Sequence, residues 1–343
     1  MNIYTYKDIS QLQKHIPKNS GIFVIIDNKV KDYFSSMKNW NFIPIKADEK
    51  NKSLETAGRI CSRLMAMKAD RDCFIIGAGG GVTTDLAGFV ASVYKRGVRF
   101  GLVPTTLLAA ADAAIGGKNG VNLSGVKNMV GTITQPEWTY QSSCFFRTLD
   151  NRVFREGEAE MLKTFLLFDR DCFISASNFF TAYDHKDPSP RQEQTLRKLM
   201  KRCATLKAEV VKKDESDHGC RRMLNLGHTF GHALESYFAQ SRKNVTILHG
   251  EAVLAGMLAA ARLSVRLGVM KEEDFEAVYE GLAKTRIPLV LGIDADKTLK
   301  FIYNDKKVSN GKLHLVLPVE IGRATSMDIP MADFELLCKD LVL

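Results

Sequence analysis

The chain reads as an α/β protein, with a parallel-sheet nucleotide-binding domain over residues 1–148 and a mostly helical domain over 149–343. Three observations predict this. Up to about residue 148, short apolar runs alternate with helix-like segments, as buried parallel strands and their covering helices do. One such run opens into a glycine turn, Gly77-Ala-Gly-Gly-Gly81. Beyond residue 148 helical periodicity dominates almost to the end. A length of 343 residues also suits about two domains.

Along the chain, Gly21 to Ile26 is a fully apolar strand ending at Asp27. Residues 53–68 form an amphipathic helix with Ser53 as N-cap. Cys73 to Ile76 is a strand running into the glycine turn, and Thr83 to Tyr94 a helix. Phe100 to Val103 is a strand ended by Pro104, with Thr105 and Thr106 placed to cap the next helix. Residues 152–180, 190–213, 222–240, 250–268 and 272–284 read as helices, with a polar loop at 183–191 and a late strand at Leu313 to Leu317. The two halves would enclose a cleft, the usual place for a ligand.

Composition narrows the function. No run approaches the roughly 20 apolar residues that cross a bilayer, and the N-terminus lacks a signal-peptide pattern. A cytoplasmic protein without membrane contact is expected. Seven scattered cysteines with no C-x-x-C pair argue against a disulfide framework and a thiolate zinc site. The net charge of +9 carries no continuous basic tract and no basic–aromatic interleaving, which argues against nucleic acid and for an anion pocket.

A strand, GAGGG and a helix make a phosphate cradle or simply a tight turn. Val82 stands where a G-x-G-x-x-G motif has its third glycine. Asp85 is either a partner of the helix dipole or a ligand contact. His228 and His232 share a helical face at i and i+4, His249 comes 17 residues after His232, and Glu160 offers a carboxylate from another helix. Such a set suits a divalent metal, though spacing alone also allows ordinary histidines. Lys163, one turn from Glu160, is an ion-pairing lysine or an anion contact.

Gly79 to Phe89, Tyr94 to Gly97, Pro104 to Leu108, Asp112, Gly116-Gly-Lys118, Lys127-Asn128, Gly157 to Lys163, Arg221, Asn225 to His232, Leu248 to Glu251 and Asp305 to Lys307 complete the pattern. In this order and spacing these runs resemble the 3-dehydroquinate synthase family of sugar phosphate cyclases, over about residues 20–325. The resemblance implies a Rossmann-like NAD-binding domain, a helical metal- and substrate-binding domain, and a small phosphorylated sugar acid as substrate. It implies transient oxidation by NAD, phosphate elimination, re-reduction and aldol cyclisation.

By resemblance, Glu160, His228 and His249 hold Zn²⁺ or Co²⁺, and His232 stays off the metal as a proton carrier. Lys207 and Arg221 hold the substrate carboxylate. Lys118, Asn128, Asn225, Lys163 and Asp112 line the site. Arg96 from a neighbouring subunit and Lys306 or Lys307 complete a phosphate pocket, which implies a homodimer. For NAD, the resemblance assigns Asp27, Glu49, Lys52, Gly80, Gly81, Val82, Asp85, Thr105, Thr106, Leu108, Asp112, Lys127 and Thr148.

The chain departs from the family pattern at Asp217, Ala113-Ala114, Val126, Asp150 and Gln141. None is a proposed metal ligand. Competing readings are a cyclase for a substrate without a carboxylate, a metal-dependent glycerol-type dehydrogenase, and a non-catalytic nucleotide-binding regulator. Lys207 with Arg221 argues against the first, and the His/Glu set against the last.

Overall fold

The computed structural model describes residues 1–240, 246–303, 308–309 and 311–343. The chain forms two compact units, Met1–Asp150 with Asp184–Ser216, and Asn151–Tyr183 with Asp217–Leu343. The strands are β1 (Asn2–Tyr6), β2 (Ile22–Asp27), β3 (Asn41–Ile45), β4 (Phe74–Gly79), β5 (Arg99–Pro104), β6 (Lys118–Leu123) and β7 (Val126–Ile133). They continue as β8 (Trp138–Ser142), β9 (Val308–Ser309), β10 (Lys312–Glu320) and β11 (Arg323–Pro330). The helices are α1 (Leu54–Ala66), α2 (Gly81–Val93), α3 (Asn151–Phe168), α4 (Arg170–Ala182) and α5 (Pro190–Lys213). After them come α6 (His228–Gln240), α7 (His249–Arg266), α8 (Glu272–Ala283), α9 (Asp296–Tyr303) and α10 (Met331–Cys338).

In the first unit six parallel strands lie in the order β1-β8-β5-β4-β2-β3. The central strands are buried along almost their whole length, which is why they read as unbroken apolar runs. α1 turns Ala57, Ile60 and Leu64 inward, and the Ser53 hydroxyl accepts the Thr56 N–H at 3.3 Å, as its capping role requires. From β2 the chain leaves toward β3, and from β4 toward β5. The β2/β4 pair is therefore the point where strand order reverses, and a crevice opens at the carboxyl ends of such strands.

The cut at residue 148 read from the sequence differs from this division in one element. Helix α5 belongs to the first unit, because it packs on β1 and on the π-helical turn Ala109–Ala113. In the second unit α3 and α4 replace one long helix: Asp169 interrupts the run and caps α4 by accepting the Cys172 N–H at 3.0 Å. α6 and α7 pack side by side, with α3 against α7. An antiparallel sheet, β11-β10-β9, joins their core through Leu313, Leu315 and Leu317.

Candidate functional site

Close backbone contacts in the second unit gather the candidate metal-ligating side chains. A Cβ at Gly256 would lie 2.0 Å from the Gly227 carbonyl oxygen, so α6 and α7 meet backbone to backbone. A Cβ at Gly250 would lie 2.4 Å from Glu156 Cα, so the start of α7 meets α3 just as closely. His228 opens α6, His249 opens α7 and Glu160 lies within α3. Their ligand atoms all fall within 4.8 Å of one another.

Glu160 is fully buried, with Oε1 at 3.4 Å from His249 Nε2 and 3.8 Å from His228 Nε2. Lys163 Nζ lies 2.5 Å from Oε2, yet neither carboxylate oxygen accepts a hydrogen bond of normal geometry. Burial works against the carboxylate, but Lys163 and His249 overcome it and hold the Glu160 pKa at about 2. Burial likewise opposes a charged His249, while Glu160 and Glu235 push its pKa up to about 10. With the His249 proton given up to a metal, one ionised carboxylate and two neutral imidazoles would be the donor set, which fits a divalent ion of the zinc or cobalt type.

His232 is exposed and lies beside the trio, its ring 5.3 Å from that of His228 and 6.3 Å from that of His249. It is not among the three converging ligands. Lys163 and Arg221 are buried, and Arg221 and Asn225 occupy the short turn Cys220–Asn225 that leads toward α6. Lys306 and Lys307 lie outside the described residues. Glu235, which the sequence did not single out, stands 3.7 Å from His249 Nδ1. The available signal was its position two turns after His228, on the same face of α6.

The first unit collects the residues assigned to NAD. Asp27 ends β2, Gly80 and Gly81 come after β4, and Thr105 and Thr106 come after β5, all at the carboxyl edge of the sheet. The Gly80 carbonyl accepts the N–H groups of Thr83 and Thr84, both at 3.0 Å, so the turn passes directly into α2. A Cβ at Gly79 would lie 2.4 Å from Thr83 Oγ1, and one at Gly80 would lie 3.1 Å from Thr106 Cγ2. Lys52 Nζ donates to Asp85 Oδ2 at 2.5 Å and to Asn128 Oδ1 at 2.6 Å, and Asn122 Nδ2 donates to Glu49 Oε1 at 2.8 Å. Burial raises the Asp85 pKa to about 6 against the pull of Lys52.

Val82 lies in the first turn of α2, Leu108 precedes the π-helical turn, and Lys118 and Lys127 are exposed on β6 and β7. Arg96 and Thr148 are also exposed. Lys207, on α5, donates to the Asp112 carbonyl at 2.6 Å and to its carboxylate at 2.7 Å, so these two residues form one group. Gln141, a departure from the family pattern, is buried and spans Thr5 and the Ala110 carbonyl.

Residues 42–156 match the family model for the 3-dehydroquinate synthase N-terminal domain and 157–308 that for its C-terminal domain. The chain is 36% identical to a 3-dehydroquinate synthase of Desulforamulus reducens over 329 residues, covering 92% of this chain and 89% of that one. It is 40% identical to one of Campylobacter curvus over 312 residues, covering 90% and 84%. Among solved structures, a 2-epi-5-epi-valiolone synthase of Streptomyces hygroscopicus subsp. jinggangensis with NAD⁺ and Zn²⁺ bound aligns at a TM-score of 0.85. Its identity is 25%, over 99% of this chain and 96% of that one.

Proposed function

The chain belongs to the 3-dehydroquinate synthase family, and from that premise we infer that it converts 3-deoxy-arabino-heptulosonate 7-phosphate to 3-dehydroquinate and phosphate. It is a carbon–oxygen lyase of the shikimate pathway. The observation that carries the reading is the convergence of Glu160, His228 and His249 within 4.8 Å.

Those three residues would hold the metal, which supplies Lewis acidity toward substrate hydroxyls. NAD, when bound, supplies an oxidation that is returned within the same turnover, so no net redox change results. Asp27, Glu49, Lys52, Gly80, Gly81, Val82, Asp85, Thr105, Thr106, Leu108, Lys127 and Thr148 would hold it. The glycine turn and the α2 N-terminus suit its pyrophosphate. His232 would carry protons at its exposed ring. Lys207 and Arg221 would meet the carboxylate, and the Asp112 bond would hold the Lys207 ammonium in place until substrate arrives. Lys118, Asn128, Asn225 and Lys163 would line the site, with Arg96 and Lys306 or Lys307 at the phosphate.

Our reading includes a homodimer in which Arg96 serves the partner's site, with Zn²⁺ as the ion. Its support is the exposure of Arg96 and of the apolar Val126, Met129 and Ile133 on the hairpin of β6 and β7. The reading places the protein in the cytoplasm, which suits seven cysteines held as thiols. No helix among the described residues is long and apolar enough to cross a membrane.

The test is phosphate release from the heptulosonate phosphate with NAD⁺ in catalytic amount. Release that a chelator abolishes and Zn²⁺ or Co²⁺ restores is the expected result. NADH accumulating in step with substrate consumed would instead make the protein a dehydrogenase.

A further inference from the structure

A histidine that binds a metal through Nε2 carries its proton on Nδ1, and whatever accepts that proton sets the ring's orientation and donor strength. His228 has such an acceptor: its Nδ1 lies 3.1 Å from the Leu226 carbonyl oxygen, while Nε2 faces Glu160. His249 has a candidate acceptor that stands just beyond hydrogen-bond distance. Its Nε2 faces Glu160 Oε1 at 3.4 Å, and its Nδ1 faces Glu235 Oε1 at 3.7 Å. The ring is thus bracketed by two carboxylates, one on each edge.

We propose that Glu235 is a positioning residue of the metal centre, orienting His249 and fixing its Nδ1–H tautomer. The inference rests on the metal-centre reading and extends it to a residue behind the ligands. Glu235 reaches His249 because α6 and α7 meet at Gly231, where a Cβ would lie 3.2 Å from the Ala252 carbonyl. The group behind His228 is a neutral carbonyl, whereas the group behind His249 is an acidic side chain. The two ligands are therefore unequal donors, and His249 is the stronger.

The test is Zn²⁺ affinity of the purified chain, read by competition with a chromogenic chelator, for wild type, Glu235→Gln and Glu235→Leu. Unfolding of each metal-free form is followed in parallel. Glutamine keeps an acceptor without the charge; leucine keeps neither. Loss of such a partner typically weakens metal binding about 10–100-fold. The leucine variant should fall in that range and the glutamine variant between it and wild type, with metal-free stability unrelated to that order. Should the leucine variant fail to fold, the glutamine variant alone should still bind Zn²⁺ several-fold more weakly than wild type. Equal affinity in the folded variants, or affinity that merely tracks metal-free stability, overturns the proposal. Wild type that binds no Zn²⁺ overturns the metal centre itself.

Discussion

Glu158 shows how one residue in a functional helix can carry a separate physical consequence. It sits two positions before Glu160 yet is only 5% exposed, and burial pushes its pKa up to about 8 against Arg155 and Arg286. The fold thus favours its protonated form over the unfolded chain, where a carboxyl titrates near 4.5. Stability from this group is full below 4.5, declines as pH rises toward 8 and is level at higher pH. At about 1.4 kcal/mol per unit the loss is on the order of several kcal/mol. Glu158→Gln, which imitates the protonated acid, should nearly match wild type at about pH 4 and melt higher at about pH 9, with chelator present throughout. A gap that stays constant between the two pH values would refute this. The candidate site was legible unevenly at this scale. Spacing brought out His228 and His232 as a pair and left open whether they bind metal. His249 and Glu160 were candidates from the sequence too, but the choice of His249 over His232 beside His228 came from the resemblance, because the approach of α7 to α3 depends on a tertiary contact at Gly250 that no periodicity encodes. Glu235 was missed because an acidic residue on a helix face looks like any solvated charge.

At the scale of elements, the strands and helices of the buried sheet were readable because full burial writes an unbroken apolar run. Edge strands β1 and β3 are only partly buried and carry no such run. The hairpin of β6 and β7 was missed although Ser124 and Gly125, at φ +51° and +80°, form its left-handed turn. The contact of α6 with α7 is the element-level feature that matters most for the site. Gly256→Ala would force its Cβ against the Gly227 carbonyl and push the two helices apart. Overpacking of this kind costs about 1–3 kcal/mol, so urea denaturation should shift by that amount and Zn²⁺ affinity should fall with it. Gly58→Ala is the control: nothing lies within 4 Å of its Cβ in α1, and removing a helical glycine should stabilise by about 0.5–1 kcal/mol. Unchanged stability and metal binding in Gly256→Ala would mean that the helices have slack the distances do not suggest.

Over the whole molecule, the residues proposed for the two ligands divide between the two compact units. Glu160, His228 and His249 all lie in the second, and every residue assigned to NAD lies in the first. A ligand that binds only the folded form stabilises what it binds, by about 2.7 kcal/mol at 100 times its dissociation constant. That corresponds to about 100-fold slower exchange for amides that open with the bound unit. Hydrogen exchange should therefore separate the two effects. Zn²⁺ should slow amides of α3, α6 and α7, and NAD⁺ should slow those of β2, β4 and the Gly79–Gly81 turn. Zn²⁺ slowing β2 and β4 as strongly as α6 and α7 would show that the units open only as one. In that case metal binding would protect the nucleotide site against opening as well, and a chelator would speed exchange in β2 and β4 without touching any residue assigned to NAD.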